Sequence, residues 1–225
     1  SLDNFAPFNV GDRFRVQGTL VAASPCISTS ATVVGAVATP CPDVEGDSYC
    51  FGDGGVTPGC TPCPCGNNAP PGTPGGCLNS SGQSCRLIAS GQPSVSQDSL
   101  RFTATGAAPN TFGMLVSAMN RLPANAASPC FGLDSGISSP VLDGHRCIGG
   151  DALRYVPRAT DSNGNIGFTN AGWGPPDGPA GGVIAYGGYV AGQTREWQLF
   201  YRDDINAVCM RGQNTSQGMS IQFVF

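Results

Sequence analysis

Arg195-Glu196-Trp197-Gln198-Leu199-Phe200-Tyr201-Arg202 reads as a β-strand in which Trp197, Leu199 and Tyr201 share one face. Downstream, Met219, Ile221, Phe223 and Phe225 alternate to the last residue, a pattern expected of a strand tied into a sheet. Upstream, residues 86–90, 100–104, 152–156 and 183–190 give further strand signals, and residues 112–119 are nearly continuously apolar, as for a strand buried on both faces. Gly, Pro and Asn punctuate the intervals, and no amphipathic run reaches helical length. The expectation is an all-β chain, sandwich-like or jelly-roll-like, with a loop-rich segment stapled by disulfides.

That segment follows from the cysteines. Cys26, Cys41, Cys50, Cys60, Cys63, Cys65, Cys77, Cys85, Cys130, Cys147 and Cys209 carry no repeated metal-ligand spacing, and six of them fall between positions 50 and 85 among Gly, Pro, Asn and Ser. Disulfides hold together segments too poor in apolar residues to order themselves, and they persist outside the reducing cytoplasm. Eleven is odd, so at least one cysteine is free, bridges two chains, or is buried unpaired. Proximity in sequence suggests Cys26–Cys41 and Cys130–Cys147 as pairs. The start at Ser1 without a methionine reads as a mature product after signal-peptide removal. An extracellular or cell-surface location is the expectation.

Charged residues make up 12% of the 225, the net charge is −4, and lysine is absent. Without a basic cluster, nucleic acid and anionic membrane are poor partners. No apolar run approaches the roughly 20 residues of a membrane span. Without lysine, neither lysine–asparagine isopeptide crosslinks nor lysine Schiff bases can form.

Residues 1–46 read as an N-terminal extension before a cysteine-rich domain at 47–225. In Arg13-Phe14-Arg15-Val16-Gln17-Gly18-Thr19-Leu20, the residues Phe14, Val16 and Leu20 share one face.

From Asp47 onward the chain resembles an uncharacterised family of secreted, cysteine-rich β domains of environmental bacteria, often placed at the C-terminal end of large extracellular proteins. The resemblance rests on Tyr49-Cys50-Phe51-Gly52-Asp53-Gly54, Cys63-Pro64-Cys65-Gly66-Asn67, Gly76-Cys77-Leu78-Asn79-Ser80, Ala89-Ser90-Gly91, Asp143-Gly144-His145-Arg146-Cys147-Ile148-Gly149-Gly150 and Gln198-Leu199-Phe200-Tyr201-Arg202-Asp203. It implies a secreted β-rich domain and carries over no catalytic residue. Cys26, Cys41, Cys60, Cys85 and Cys130 depart from the pattern, and the segment before Asp47 is extra to it. That segment resembles the donor strand of a pilin.

The remaining motifs each have a plain reading. Cys60-Thr61-Pro62-Cys63 has redox spacing but lacks a βαβ context, so structural disulfides are expected. Zinc would want a second such pair or two histidines, and His145 stands alone in the chain. No Gly-x-Ser-x-Gly elbow accompanies His145, so it reads as a loop histidine beside a disulfide cysteine. Glu45 and Glu196 are the only glutamates, and no motif pairs either with an aspartate for glycosidase chemistry. Arg202-Asp203-Asp204 reads as a strand-end salt bridge and turn. Asp161-Ser162-Asn163-Gly164-Asn165 lacks the later ligands of a calcium loop and reads as a hairpin turn. Asp43, Glu45, Asp47 and Asp53 form an acidic cluster of weak calcium character. Asn79-Ser80-Ser81 and Asn214-Thr215-Ser216 are glycosylation sequons, and Trp173 and Trp197 would suit sugar stacking only if exposed.

These readings lead to one expectation and one alternative. The expectation is a non-enzymatic subunit of an extracellular, pilus-like filament without cofactor or metal. It would be a glycoprotein homopolymer in helical array, joined by Phe14, Val16 and Leu20 completing a neighbour's sheet. The alternative is a secreted carbohydrate-binding or adhesion module.

Overall fold

A computed structural model describes residues 46–54, 62–124, 132–133, 135–204 and 209–225. All lie in one compact unit, Pro42–Phe225. Residues 1–45, with Phe14, Val16 and Leu20, lie outside the described residues, as do Cys26, Cys41, Cys60 and Cys130.

In chain order the elements are β1 (Asp47–Tyr49), β2 (Arg86–Ser90), β3 (Arg101–Thr105), β4 (Phe112–Ala118), β5 (Asn120–Arg121), β6 (Ile137–Ser138) and β7 (His145–Arg146). They continue with β8 (Ile148–Gly149), β9 (Leu153–Arg154), β10 (Arg158–Ala159), α1 (Val183–Gly187), β11 (Thr194–Arg202), β12 (Gln213–Thr215) and β13 (Gly218–Gln222). The fold is therefore nearly all-β, and its named strand pairs are antiparallel. No helix among the described residues is long and apolar enough to cross a membrane.

The stretch quoted first is the spine. β11, rich in aromatic residues that suit a half-buried pleated surface, pairs with β4 on one side and with β13 and β12 on the other. The large sheet runs β1–β13–β11–β4–β10, with β9 also on β4. One row of register crosses it: Asp47 faces Ser220, Ser220 faces Glu196, and Glu196 faces Ala118.

β2 and β3 form a separate pair whose outer edges are both finished by other means. Beyond β3, the backbone of Phe102 exchanges hydrogen bonds with Trp173 (2.7 and 3.1 Å) and that of Ala104 with Ile166 (2.9 and 2.8 Å). Beyond β2, the Gln217 side chain takes the place of a strand: its amide donates to the Leu87 carbonyl (2.7 Å) and accepts from the Leu87 N–H (3.0 Å). An amide side chain carries the same donor and acceptor as a peptide group, so both buried backbone groups of Leu87 are satisfied.

Trp197, Leu199 and Tyr201 do share a buried face. Trp197 packs on Phe102 (centroids 4.5 Å), Tyr155 (5.6 Å) and Tyr189 (6.0 Å), within a cluster that includes Leu87, Leu100, Leu115, Ile166, Ile221 and Phe223. Each large apolar side chain so buried contributes about 1.5–3 kcal/mol. β4 is buried on both faces over residues 115–118, whereas Phe112 at its start and Met119 just beyond its end are exposed. Leu115 enters this cluster, while Val116 and Ala118 enter a second one with Tyr49, Cys50, Cys147 and Ile148.

Two strand expectations need correction. Residues 183–190 open with α1, which buries Val183 and Ile184, leaves Tyr186 exposed, and ends at Gly188 in the left-handed region (φ 64°). A short apolar run does not by itself distinguish a strand from a buried helical turn. The C-terminal alternation also stops early: β13 ends at Gln222, Phe223 is buried, and Phe225 is exposed.

Candidate functional site

The described residues of 46–85 have little apolar surface, and their order comes from backbone bonds and sulfur. Gly52 donates to the Gly75 carbonyl (2.9 Å), Ala69 to Gly52 (2.6 Å), Leu78 to Asn67 (2.9 Å) and Gly76 to Cys85 (2.9 Å). Such contacts need glycine. A side chain at Gly52 would overlap the Gly76–Cys77 backbone, and one at Gly76 would overlap the Thr215 carbonyl oxygen. The Asn67 amide donates to the carbonyls of Leu78 (2.7 Å) and Asp143 (2.9 Å), tying the segment to the strand side of the molecule.

Three disulfides lie among the described residues: Cys50–Cys147, Cys63–Cys77 and Cys65–Cys209. Two of them join the segment to distant parts of the chain. The expected Cys130–Cys147 pair is therefore wrong: Cys147, between β7 and β8, is bonded to Cys50 just after β1, a residue the folded sheet brings to it from 97 positions away. Cys63 bonds to Cys77, so it does not form a Cys60–Cys63 redox pair. Cys85, counted among the disulfide cysteines, is a free thiol, fully buried beside the main cluster. Burial pushes its ionisation far above the ordinary thiol range, so it is an inert core residue.

Against the Cys63–Cys77 bond sits His145. Its backbone carbonyl accepts from Thr215 Oγ1 (2.7 Å) and Gln198 Nε2 (2.9 Å), which fixes β7 over β11 and β12. Its side chain is buried, and neither ring nitrogen makes a hydrogen bond of good geometry, the Pro62 carbonyl being the acceptor that bears on the ring. One imidazole nitrogen and the sulfurs of Cys63 and Cys77 all lie within 4.8 Å of one another. Burial holds the imidazole below its ordinary pKa of 6.5, opposed by the Pro62 carbonyl and the Asp53 carboxylate. A buried imidazole facing a disulfide is an unusual use of the chain's one histidine.

A second polar group spans the large sheet. Arg121 reaches Asp47 (2.6 Å) and Glu196 (3.4 Å) and lies over the Tyr49 ring (4.3 Å). Ser220 donates to Glu196 (3.0 Å). Burial raises the Glu196 carboxyl, with Arg121 opposing. The row Asp47–Ser220–Glu196 is thus held by one guanidinium.

The other expected sites fall as follows. Both sequon asparagines are buried and bonded. Asn79 accepts from Ser81 (3.0 Å) and Gln83 (3.1 Å) and donates to the Gly106 carbonyl (2.9 Å). Asn214 accepts from the Thr215 N–H (2.8 Å) and donates to the Leu78 carbonyl (3.2 Å). Neither leaves a free amide for a glycan on the folded chain, so Asn79 and Asn214 are structural. Trp173 and Trp197 are both fully buried and offer no sugar-stacking face. Asp203 caps Ser80, accepting from its N–H (3.1 Å) and hydroxyl.

Asp161 accepts from the N–H groups of Asn163 (2.8 Å) and Asn165 (2.9 Å), and these bonds hold its carboxyl below the usual range. The chain turns there with Gly164 at positive φ (76°). In the acidic cluster Asp47 pairs with Arg121, and Asp53 accepts from the Gly72 N–H (3.1 Å); Asp43 and Glu45 lie outside the described residues.

No family model matches the chain, and searches of curated proteins and of solved structures return no match.

Proposed function

We propose that the chain is a structural subunit of an extracellular filament, joined to its neighbours by the strand around Phe14, Val16 and Leu20. The observation that carries this reading is the position of β1. Among the described residues β1 is one of the two terminal strands of the seven-stranded sheet, and the extension continues covalently from it. An edge strand is where main-chain hydrogen bonds remain available for β-addition, and nature usually protects such edges. An extension with one apolar face supplies the alternating side chains that such addition uses. The cross-linked body suits an object that must last outside the cell. With both tryptophans in the core, the carbohydrate-binding alternative loses its main candidate residues.

Negative-stain microscopy of the native protein beside a chain lacking residues 1–22 tests the proposal. Filaments from the full chain and monomers from the shortened one are expected. A full chain that stays monomeric, or filaments that survive the deletion, would overturn it.

A further inference from the structure

We propose that Cys63, Cys77 and His145 form a redox-gated site for a thiophilic divalent cation of the zinc class, closed while the disulfide stands and opened by its reduction. Two independent observations meet here. The two sulfurs and an imidazole nitrogen already lie within 4.8 Å of one another. His145 is 2% exposed, and with its one N–H turned to the Pro62 carbonyl the other ring nitrogen keeps its lone pair without a donor. A lone pair kept free beside two sulfurs has the chemistry of a ligand in waiting.

The distances suit a metal after a small movement. Zinc binds thiolate sulfur at about 2.3 Å and imidazole nitrogen at about 2.0–2.1 Å in tetrahedral geometry, which sets the two sulfurs about 3.8 Å apart and each about 3.5 Å from the nitrogen. Disulfide sulfurs are not thiolates, so Cys63 and Cys77 can take the metal only after their bond is reduced. The neutral imidazole is the form that binds metal. Two thiolates and one imidazole leave the fourth position to a water or an anion.

The chemistry balances as follows. A dithiol supplies two electrons and two protons and leaves as its own disulfide. The Cys63–Cys77 bond breaks, and each sulfur takes one proton. The cation then displaces those two protons to solvent and binds both thiolates and one nitrogen of neutral His145. Oxidation reverses the sequence and expels the metal.

The test uses the full chain under argon. A phosphine, which does not compete for the metal as a thiol would, is titrated until peptide mapping shows the Cys63–Cys77 bond opened. Zinc affinity is then measured by competition, and cobalt(II) serves as the spectroscopic probe. One equivalent is expected to bind, with sulfur-to-cobalt charge-transfer bands and an X-ray absorption signature of two sulfurs and one nitrogen. His145→Gln should weaken binding by more than about tenfold, since even outer-shell partners of a metal carry that much. Cys63→Ser with Cys77→Ser should abolish binding, and the oxidised chain should bind nothing at this site. Equal affinity in wild type and His145→Gln, or an all-sulfur spectrum, would overturn the proposal. Near-UV circular dichroism provides the second readout: loss of the folded signal on reduction that zinc does not restore would overturn it as well.

Discussion

Around Trp197 the chain is held by side chains; in the described residues between Cys50 and Cys85 it is held by backbone and sulfur. In the first region aromatic rings from β3, β11 and the 155 and 189 positions meet at 4.5–6.0 Å, and the large residues do the packing. In the second, glycines let one stretch of backbone lie directly on another, and the buried side chains include the cysteines Cys50, Cys63 and Cys77 and the asparagines Asn67 and Asn79. The difference teaches that burial alone does not order a chain. A segment with little apolar surface gains little on leaving water, so covalent links must limit its unfolded states instead.

The sharpest way to break the comparison is to remove its centre. Trp197→Ala should cost about 3–5 kcal/mol, read as a lower denaturant midpoint, because the cavity would be lined by rings that cannot collapse into it. A cost below about 1 kcal/mol would mean that the sulfur-held half carries the fold.

Next, Cys50→Ala with Cys147→Ala should cost about 2–5 kcal/mol by the same measure, since the bond closes a long loop. Its span is 97 residues. If the double variant matched wild type, the segment would be ordered without its links.

Third, Gly76→Ala should cost about 1–3 kcal/mol, as forced overpacking does. A neutral result would show that the backbone contact with Thr215 is loose.

The smallest effect concerns pH. Because burial lowers the folded pKa of His145 below its unfolded value of 6.5, the unfolded chain takes up the proton first as pH falls. Its contribution to stability is complete above that value and shrinks as pH drops below it. Asp98, Asp143 and Glu196 run the other way. Burial raises their carboxyls, so they favour the fold at low pH and lose that advantage as pH rises through their folded pKa values. The difference between wild type and His145→Asn isolates the histidine: wild type should lose stability faster below about pH 6.5. Parallel pH profiles would mean that the imidazole is solvated in the folded chain.

Much of the strand body is legible in the sequence because period-two alternation reports burial directly. Trp197, Leu199 and Tyr201 show it, as does the unbroken run that becomes β4. Where an apolar run is short, as at Val183 and Ile184, the pattern cannot separate a helical turn from a strand, and the flanking glycines were the better signal. The disulfide partners are illegible for another reason. Cys147 meets Cys50, and Cys209 meets Cys65, through pairings of the whole sheet that no local pattern encodes. The same holds for His145: its neighbours Cys63 and Cys77 lie far upstream, so sequence alone shows a lone histidine where the fold makes a cluster. Gln217 and Gln198 escape notice too. Each is a buried amide replacing backbone partners, and its only sign in sequence is a polar residue amid strand-forming neighbours.

Native-state hydrogen exchange before and after full reduction tests most directly whether two different forces hold the two regions. The backbone amides of Gly52, Ala69 and Leu78 should lose their protection on reduction, while those of Leu199 and Tyr155 keep it. Simultaneous loss at all five positions, or continued protection at the first three, would contradict the account.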